Sequence, residues 1–544
     1  MRKLVVICSW ALLLGGCKSE CGSPEPDGSQ PAPPPSAELL QKIGDLNEGL
    51  VVLKTLAGAV AQSEVRSVAE TEAGVGLMFR DGTEVVLACN AAAETPLVGI
   101  AADGDVWYWT LASEKDKPWL KDASGGKMPV SGPVPVMGRD NEGFWTVTTD
   151  AAVTPWRIGD ASGNPVKAVG NEHVALFRSV KAENGRVEIA LADGGSLSAA
   201  QVNDLSAAGT ANCYVVSAPG TYVFNARVRG NGAGEGVGFE PAIELADNMT
   251  ADWLWTDSEG LVSEIGLDKK SGDMVLKVGE GRGNTLVALM QEGRIVWSWH
   301  IWVTDAPQTM AYENGVVFMD RNLGAVGTTV GGTDAYGMYY QWGRKDPFYW
   351  GTKTETSANA FLEAKNGTVV NPAYPELTWN ITKTAVMPEV AAANPMTFYN
   401  NKVGNDYNWL AKPNARLWGE AKTLNDPCPP GYKVPDIDAW ENLSSGRNYI
   451  EGVSAWDVEN YGVTYTHNGQ TAWYPGQGYR TYSSGAIVGQ RASSGGSGGY
   501  WSSKATAAKA YYLYVKKQGS TSGSINPELD VNRSYGYTVR CCKE

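Results

Sequence analysis

The chain is poor in histidine, in charge and in long apolar runs, and each shortage excludes something. Three histidines in 544 residues leave little material for a His-ligated metal centre or a histidine general base. Charged residues make up 19% of the chain, too few for long coiled coils or charged disordered tails. The balance is acidic, with 59 Asp and Glu against 45 Lys and Arg and a net charge of −14. Electrostatic capture of nucleic acid or of anionic lipid is therefore not expected. The eight cysteines include no C-x-x-C pair, which removes zinc ribbons and thioredoxin-type chemistry. No G-x-S-x-G, H-E-x-x-H or P-loop occurs, and Gly230 to Gly238 lacks the helix and Lys-Ser/Thr of a phosphate cradle. No cofactor and no metal is expected.

What is abundant is glycine (64), tyrosine (24) and tryptophan (20), the composition of β-rich domains with ordered loops. At roughly 150 residues per domain, the length allows three or four.

The N-terminus supplies an address. Arg2 and Lys3 precede an apolar run from Leu4 to Leu14, which is too short to span a bilayer but fits a signal peptide. Leu14-Gly15-Gly16-Cys17 resembles a bacterial lipobox, which implies cleavage after residue 16 and acylation of Cys17, hence an outer-membrane lipoprotein anchored by lipid and exposed at the cell surface. Residues 17–36 are Pro-rich and read as an extended tether. Over 37–62, Leu39, Ile43, Leu46, Leu50, Leu53, Ala57 and Val60 trace a heptad seam, with Ser36 as N-cap. Such a seam serves equally as a short coiled coil, making a dimer or trimer, or as a helix packed on the β-domain that follows.

Residues 63–200 contain an internal repeat of hairpins. Val75, Leu77 and Phe79, followed by Asp81-Gly82, return 112 residues later as Val187, Ile189 and Leu191 followed by Asp193-Gly194. The Asp-Gly pair predicts a type I′ hairpin turn. Between the copies, Pro96 to Thr110 and Pro135 to Thr148 form a second, Trp-bearing pair. The repeat predicts an array in which each unit buries its face on the next. This heptad helix with D-G and Trp hairpins resembles a domain of unknown function at the head of many Bacteroidales surface lipoproteins, which implies a stalk or spacer.

Residues 209–305 show about seven short alternating runs, fitting an immunoglobulin-like β-sandwich. In the last run, Ile295, Trp297, Trp299, Ile301 and Val303 point to the expected core, while His300 and Trp302 on the other face are candidates for a seam with the next domain.

Residues 306–544 carry five landmark blocks in order: Met319-Asp320-Arg321-Asn322-Leu323-Gly324, Tyr336 to Phe348, Asp426-Pro427-Cys428-Pro429-Pro430-Gly431-Tyr432 running into Trp440, Gly478-Tyr479-Arg480 with Tyr500-Trp501, and Gly536 to Cys541. They resemble the Fibrobacter succinogenes major paralogous domain, a common C-terminal module of secreted Bacteroidales proteins. The resemblance implies an α+β fold distantly like C-type lectins and formylglycine-generating enzymes. It also implies a Cys428–Cys541 disulfide, with Cys542 beside Cys541 as the competing partner. The paired reactive cysteines of the oxidase-type enzymes are missing. Asn526-Pro527-Glu528 with Asp530 and Asn532 has the wrong order for a lectin calcium site and reads as a solvated loop.

The whole is thus a mainly β, multidomain chain. The residues placed to bind a ligand are Trp473, Tyr474, Tyr479, Arg480 and Trp501, beside a Ser/Gly-rich loop over 483–499, because aromatic faces near flexible polar loops suit sugar rings. The function expected is non-catalytic binding of a glycan or a surface protein, or adhesion. A polysaccharide lyase and a fimbrial or envelope assembly component are the alternatives.

Overall fold

The computed structural model describes residues 36–91, 97–111, 118–150, 152–160, 162–168, 175–183, 185–234, 240–350, 368–403, 406–490, 496–517 and 525–544. The signal peptide, Cys17 and nearly all of the tether lie outside them. The chain is mostly β, with 44% strand against 9% helix, and no described helix is long and apolar enough to cross a membrane. It divides into two compact units. One takes Met1–Lys54, Ala92–Leu176 and Leu191–Gly195; the other takes Thr55–Ala91, Phe177–Ala190 and Ser196–Glu544. The boundary expected at 305/306 does not divide the packing.

The helix Ala37–Gln62 begins where expected, with Ser36 Oγ accepting from Leu39 N at 3.1 Å. In the first unit its seam is used inside the chain: Leu39, Leu46, Leu50 and Leu53 are buried. Asn47 exchanges two hydrogen bonds with the Met137 backbone, at 3.0 and 2.8 Å. The seam thus packs within the chain. Gly49 does more than weaken it, because a Cβ there would stand 3.0 Å from Leu176.

The Trp hairpins of this unit are two copies of one three-segment arrangement. Trp109 N donates to Met128 O and Leu120 N to Trp109 O; in the second copy Trp145 N donates to Val166 O and Ile158 N to Trp145 O. Both tryptophans are buried, so these rings are the cores of their own hairpins.

In the second unit, Val65–Thr71, Gly74–Phe79 and Glu84–Leu87 form one antiparallel meander, and Phe177–Glu183, Arg186–Leu191 and Ser196–Ala200 form its repeat. The two close on each other instead of extending into an array: Val65 bridges Gln201 and Phe177 bridges Cys89, both in parallel. A shift of 112 residues converts one bridge into the other, so the repeat is a closed pair about a local two-fold. The turn at Asp81-Gly82 is a longer one than type I′. Gly82 N donates to Phe79 O and Phe79 N to Thr83 O, and only Gly82 has positive φ, 88°. That is a type I turn closed by a left-handed glycine, and Asp193-Gly194 repeats it with Gly194 at 85°.

Residues 203–303 build two facing sheets. Asn203–Asp204, Gly220–Asn225, Asp273–Val278 and Val262–Asp268 form one; Cys213–Val216, Arg294–Val303, Gly283–Gln291, Met249–Thr256 and Val369–Val370 form the other. Phe224 and Trp299 meet between them at 5.2 Å. The fifth strand, Val369–Val370, comes from beyond the expected boundary. The strand Arg294–Val303 is buried on both faces. Trp299 and Ile301 fill the core as expected, while Ser298, His300 and Trp302 are covered by residues 320–346. Ser298 Oγ donates to Asp346 at 2.7 Å, and Trp302 Nε1 donates to Ala325 O at 2.9 Å.

The remainder centres on a mixed sheet of Tyr340–Gln341, Gly536–Tyr537, Gln477–Arg480, Ser497–Ala505, Lys509–Lys516 and Ile525–Asn532, with Ile487–Val488 beside Gln477–Arg480. Its core is continuous with that of the two facing sheets. Asp436 caps the 3₁₀ helix Ile437–Leu443, which buries Ile437 and Trp440. The segment read as a solvated loop, Asn526 to Asn532, is instead the edge strand Ile525–Asn532. Pro527 is tolerated there because it sits at a register shift on that edge. Cys428 is bonded to Cys541 with Cα atoms 6.0 Å apart, and Cys542 is free and buried.

Candidate functional site

Four of the five side chains expected to face a ligand are interior. Trp473 is 5% exposed, and Tyr474, Arg480 and Trp501 have no exposure at all. Tyr474 Oη meets Tyr312 Oη at 2.5 Å and accepts from Trp440 Nε1 at 3.3 Å, while the Arg540 guanidinium lies 3.9 Å from its ring. Arg480 donates to Gly485 O at 2.7 Å and to Tyr349 O at 2.6 Å, so it shapes the turn that follows its strand. Trp501 Nε1 donates to Tyr340 O at 2.6 Å, and its ring abuts Tyr537 at 4.9 Å. These are corrections to the expected site: all four side chains are packed inside the fold, which leaves no ring face or guanidinium exposed for a ligand.

Tyr479 is different, being half-buried, and it belongs to a row of tyrosines that sequence reading missed. Tyr407 meets Tyr482 at 4.3 Å, Tyr482 meets Tyr535 at 4.8 Å, and Tyr535 meets Tyr479 at 5.7 Å. All four are half-buried. Below them Tyr537 stacks on Tyr535 at 5.5 Å and on Tyr512 at 4.5 Å. Gly499 makes room for that second layer, since a Cβ there would fall 2.2 Å from Tyr537 Cδ1.

The row is braced from both sides. Thr481 Oγ1 pairs with Ser484 Oγ at 2.8 Å, and Asn400 Nδ2 donates to Ser483 O at 2.5 Å. Ser534 N donates to Tyr407 O at 3.3 Å. Burial raises the phenols of Tyr479 and Tyr535 above their usual range, so at neutral pH each hydroxyl both donates and accepts. The Ser/Gly-rich stretch 483–499 contributes the strands Ile487–Val488 and the start of Ser497–Ala505; residues 491–495 lie outside the described residues. No sequence motif marks the row, because its members come from three separate segments. The one available hint was composition, 24 tyrosines against 9 phenylalanines.

Among the described residues no group of three or more His, Cys, Asp or Glu could hold a metal ion. His300 is structural: buried, it approaches Asn284 Oδ1 at 2.8 Å through Nε2 and Tyr340 Oη at 3.5 Å through Nδ1. Compared with known proteins, the chain matches no family model and no curated protein.

Proposed function

We propose that this chain is a lipid-anchored surface protein that binds glycan, without catalysis, through the row Tyr407, Tyr482, Tyr535 and Tyr479. The observation that carries the reading is that continuous row of half-buried phenol rings on a braced scaffold. Tyrosine offers a sugar both an apolar face for its C–H groups and a hydroxyl for its own hydroxyls, at low conformational cost. In this reading Cys17 holds the lipid at the outer membrane and residues 17–36 are the tether. Residues 209–305 are an immunoglobulin-like sandwich, supported by the seven strands they contribute to two facing sheets, three to one and four to the other. Residues 306–544 are a lectin-like module, supported by the Cys428–Cys541 tie between the loop before Val434 and the residue that leads into the last strand, Cys542–Lys543. Arg480, the arginine on Tyr479's own strand, is engaged with carbonyl oxygens, which favours binding over Tyr/Arg lyase chemistry.

The test is a glycan array probed with the full mature chain and with Tyr482→Ala and Tyr535→Ala. The expected result is a bound glycan whose signal falls about tenfold in each variant, the loss of one stacked ring being worth about 1.4 kcal/mol. Unchanged binding in both variants removes the row as the site. Turnover of a polysaccharide, or capture of a pilus subunit with no glycan bound, replaces the proposal with an enzyme or an assembly component respectively.

A further inference from the structure

The paired Trp hairpins of the first unit enclose a cleft of about 320 Å³ between the segments around Trp119 and Trp156. Its two lips are repeat-related turns, one opened by Asp122 and the other by Asp160. Asp122 Oδ1 accepts from Ser124 N at 2.9 Å, Ser124 Oγ at 2.7 Å and Gly126 N at 2.8 Å. Asp160 Oδ1 accepts from Ser162 N at 2.9 Å and Asn164 N at 2.8 Å. One oxygen of each carboxylate is thus fixed by its turn. The other keeps lone pairs, since a carboxylate offers about four acceptor sites; among the described residues Asp160 Oδ2 accepts from Asn164 Nδ2 at 3.2 Å.

Between the lips lies the half-buried Trp156, oriented by Nε1 donating to Lys121 O at 3.2 Å. Trp119 also lines the cleft, with the Lys127 ammonium 4.3 Å from its ring centre and Tyr108 edge-on at 5.6 Å. We propose that this cleft is a second saccharide site, taking one or two rings of a neutral oligosaccharide. The sugar's C–H face lies on Trp156 while its hydroxyls donate to Asp122 and Asp160. The volume sits at the lower end of the roughly 300–1,000 Å³ typical of small-molecule sites.

Charge selects the ligand class. Two carboxylates oppose an anion, and Arg157 does not offset them, because Asp140 at 2.5 Å and Glu142 at 2.7 Å hold its guanidinium. A cation meets Lys121 on the same lip, while Lys127 beside it is held by Asp103 at 2.5 Å. A neutral polyol meets neither objection. The site is independent of the tyrosine row, shares no residue with it and lies in the other unit.

The test uses the full chain and calorimetric titration with cello-, xylo-, manno- and malto-oligosaccharides, on the wild type, Trp156→Ala, Trp156→Phe, Asp122→Asn and Tyr482→Ala. The expected result is one oligosaccharide whose affinity falls about tenfold in Trp156→Ala and in Asp122→Asn, as loss of one stacked ring or one charged acceptor requires. Trp156→Phe should restore most of it, which separates lost stacking from misfolding. Binding that Tyr482→Ala abolishes and Trp156→Ala spares belongs to the tyrosine row and is set apart from this site. The proposal is overturned if none of the four sugars binds, if every binder depends on Tyr482 and not on Trp156, or if a lysine-rich peptide displaces the bound sugar.

Discussion

His300 makes the folded state answer to acid in a way that can be isolated. Burial lowers its pKa from 6.5 to about 3, so the folded protein keeps it neutral while the unfolded chain protonates it near pH 6.5. Its partners fit the neutral ring: Asn284 Nδ2 donates to Asp257 Oδ2 at 2.8 Å and Gly324 O at 3.0 Å. Asn284 Oδ1 is therefore turned toward His300 and accepts from Nε2–H. Because the folded pKa is depressed, the neutral ring's stability is full above pH 6.5 and drains away as the pH falls toward 3. At 1.36 kcal/mol per unit, going from pH 7 to pH 4 costs about 3 kcal/mol.

Asp257, on the other side of Asn284, works in the opposite sense. Burial raises its pKa from 3.8 to about 6, so the folded state binds its proton first and gains stability between pH 6 and 4. Allowing for its partial exposure, that gain is about 2 kcal/mol. The two effects nearly cancel in the wild type, so its own pH profile hides both. Substitution separates them. Between pH 7 and pH 4 the stability of His300→Gln should rise by about 3 kcal/mol relative to wild type, and that of Asp257→Asn should fall by about 2 kcal/mol. Urea unfolding at the two pH values, with each variant compared to wild type at the same pH, reads these differences free of every other titrating group. Differences that stay constant with pH would refute the reasoning.

The disulfide and its loop give three further expectations. Cys428 and Cys541 are 113 residues apart, so Cys541→Ser should cost about 4–5 kcal/mol by the chain-entropy estimate and lower the thermal midpoint. A non-reducing peptide map should find the 428–541 bond with Cys542 unpaired. Asp426 accepts from Cys428 N at 2.8 Å and Val434 N at 2.9 Å and faces the buried Lys422 ammonium at 3.4 Å. Asp426→Asn leaves that ammonium without its counter-charge and should lower stability by about 3 kcal/mol or more, measured by urea midpoint.

What the sequence disclosed, and what it withheld, follows the range over which each signal acts. Alternation over Arg294–Val303 announced a strand and placed Trp299 and Ile301 inward, because a period of two is a local property. It did not announce that Ser298, His300 and Trp302 would be covered as well, because their cover comes from Ala325, Tyr340 and Asp346. The heptad seam gave the helix and its buried side but not its partner, the Met137 backbone 90 residues on. Asp81-Gly82 gave a turn and missed its length, since one left-handed glycine serves both a two-residue turn and a type I turn with a bulge. The burial of the expected ligand-facing residues escaped notice for the same reason. Trp473, Tyr474 and Trp501 cluster in sequence, whereas Tyr407, Tyr482 and Tyr535 are brought together only by the fold.

That contrast between buried tryptophan and half-exposed tyrosine has a cause in hydrogen bonding. Long irregular segments leave backbone carbonyls with no ladder partner, and buried carbonyls need donors. Tryptophan, arginine and lysine donate and do not accept. The interior of residues 306–544 is furnished with them accordingly. Trp342 Nε1 reaches Ser502 O, Trp409 reaches Trp342 O, Trp418 reaches Asn425 O and Trp501 reaches Tyr340 O, all at 2.6–2.9 Å. Arg344 spans the carbonyls of Thr397, Asn394 and Pro395, and Lys422 those of Cys428 and Pro429. Within ladders both outcomes occur: Trp302 Nε1 donates to Ala325 O, while the Nε1 atoms of Trp255 and Trp299 have no hydrogen-bond partner among the described residues. A donor-only side chain suits a fold with surplus acceptors. Tyrosine, which does both, fits the interior, as where Tyr312 meets Tyr474, and equally the half-buried row Tyr407, Tyr482, Tyr535 and Tyr479.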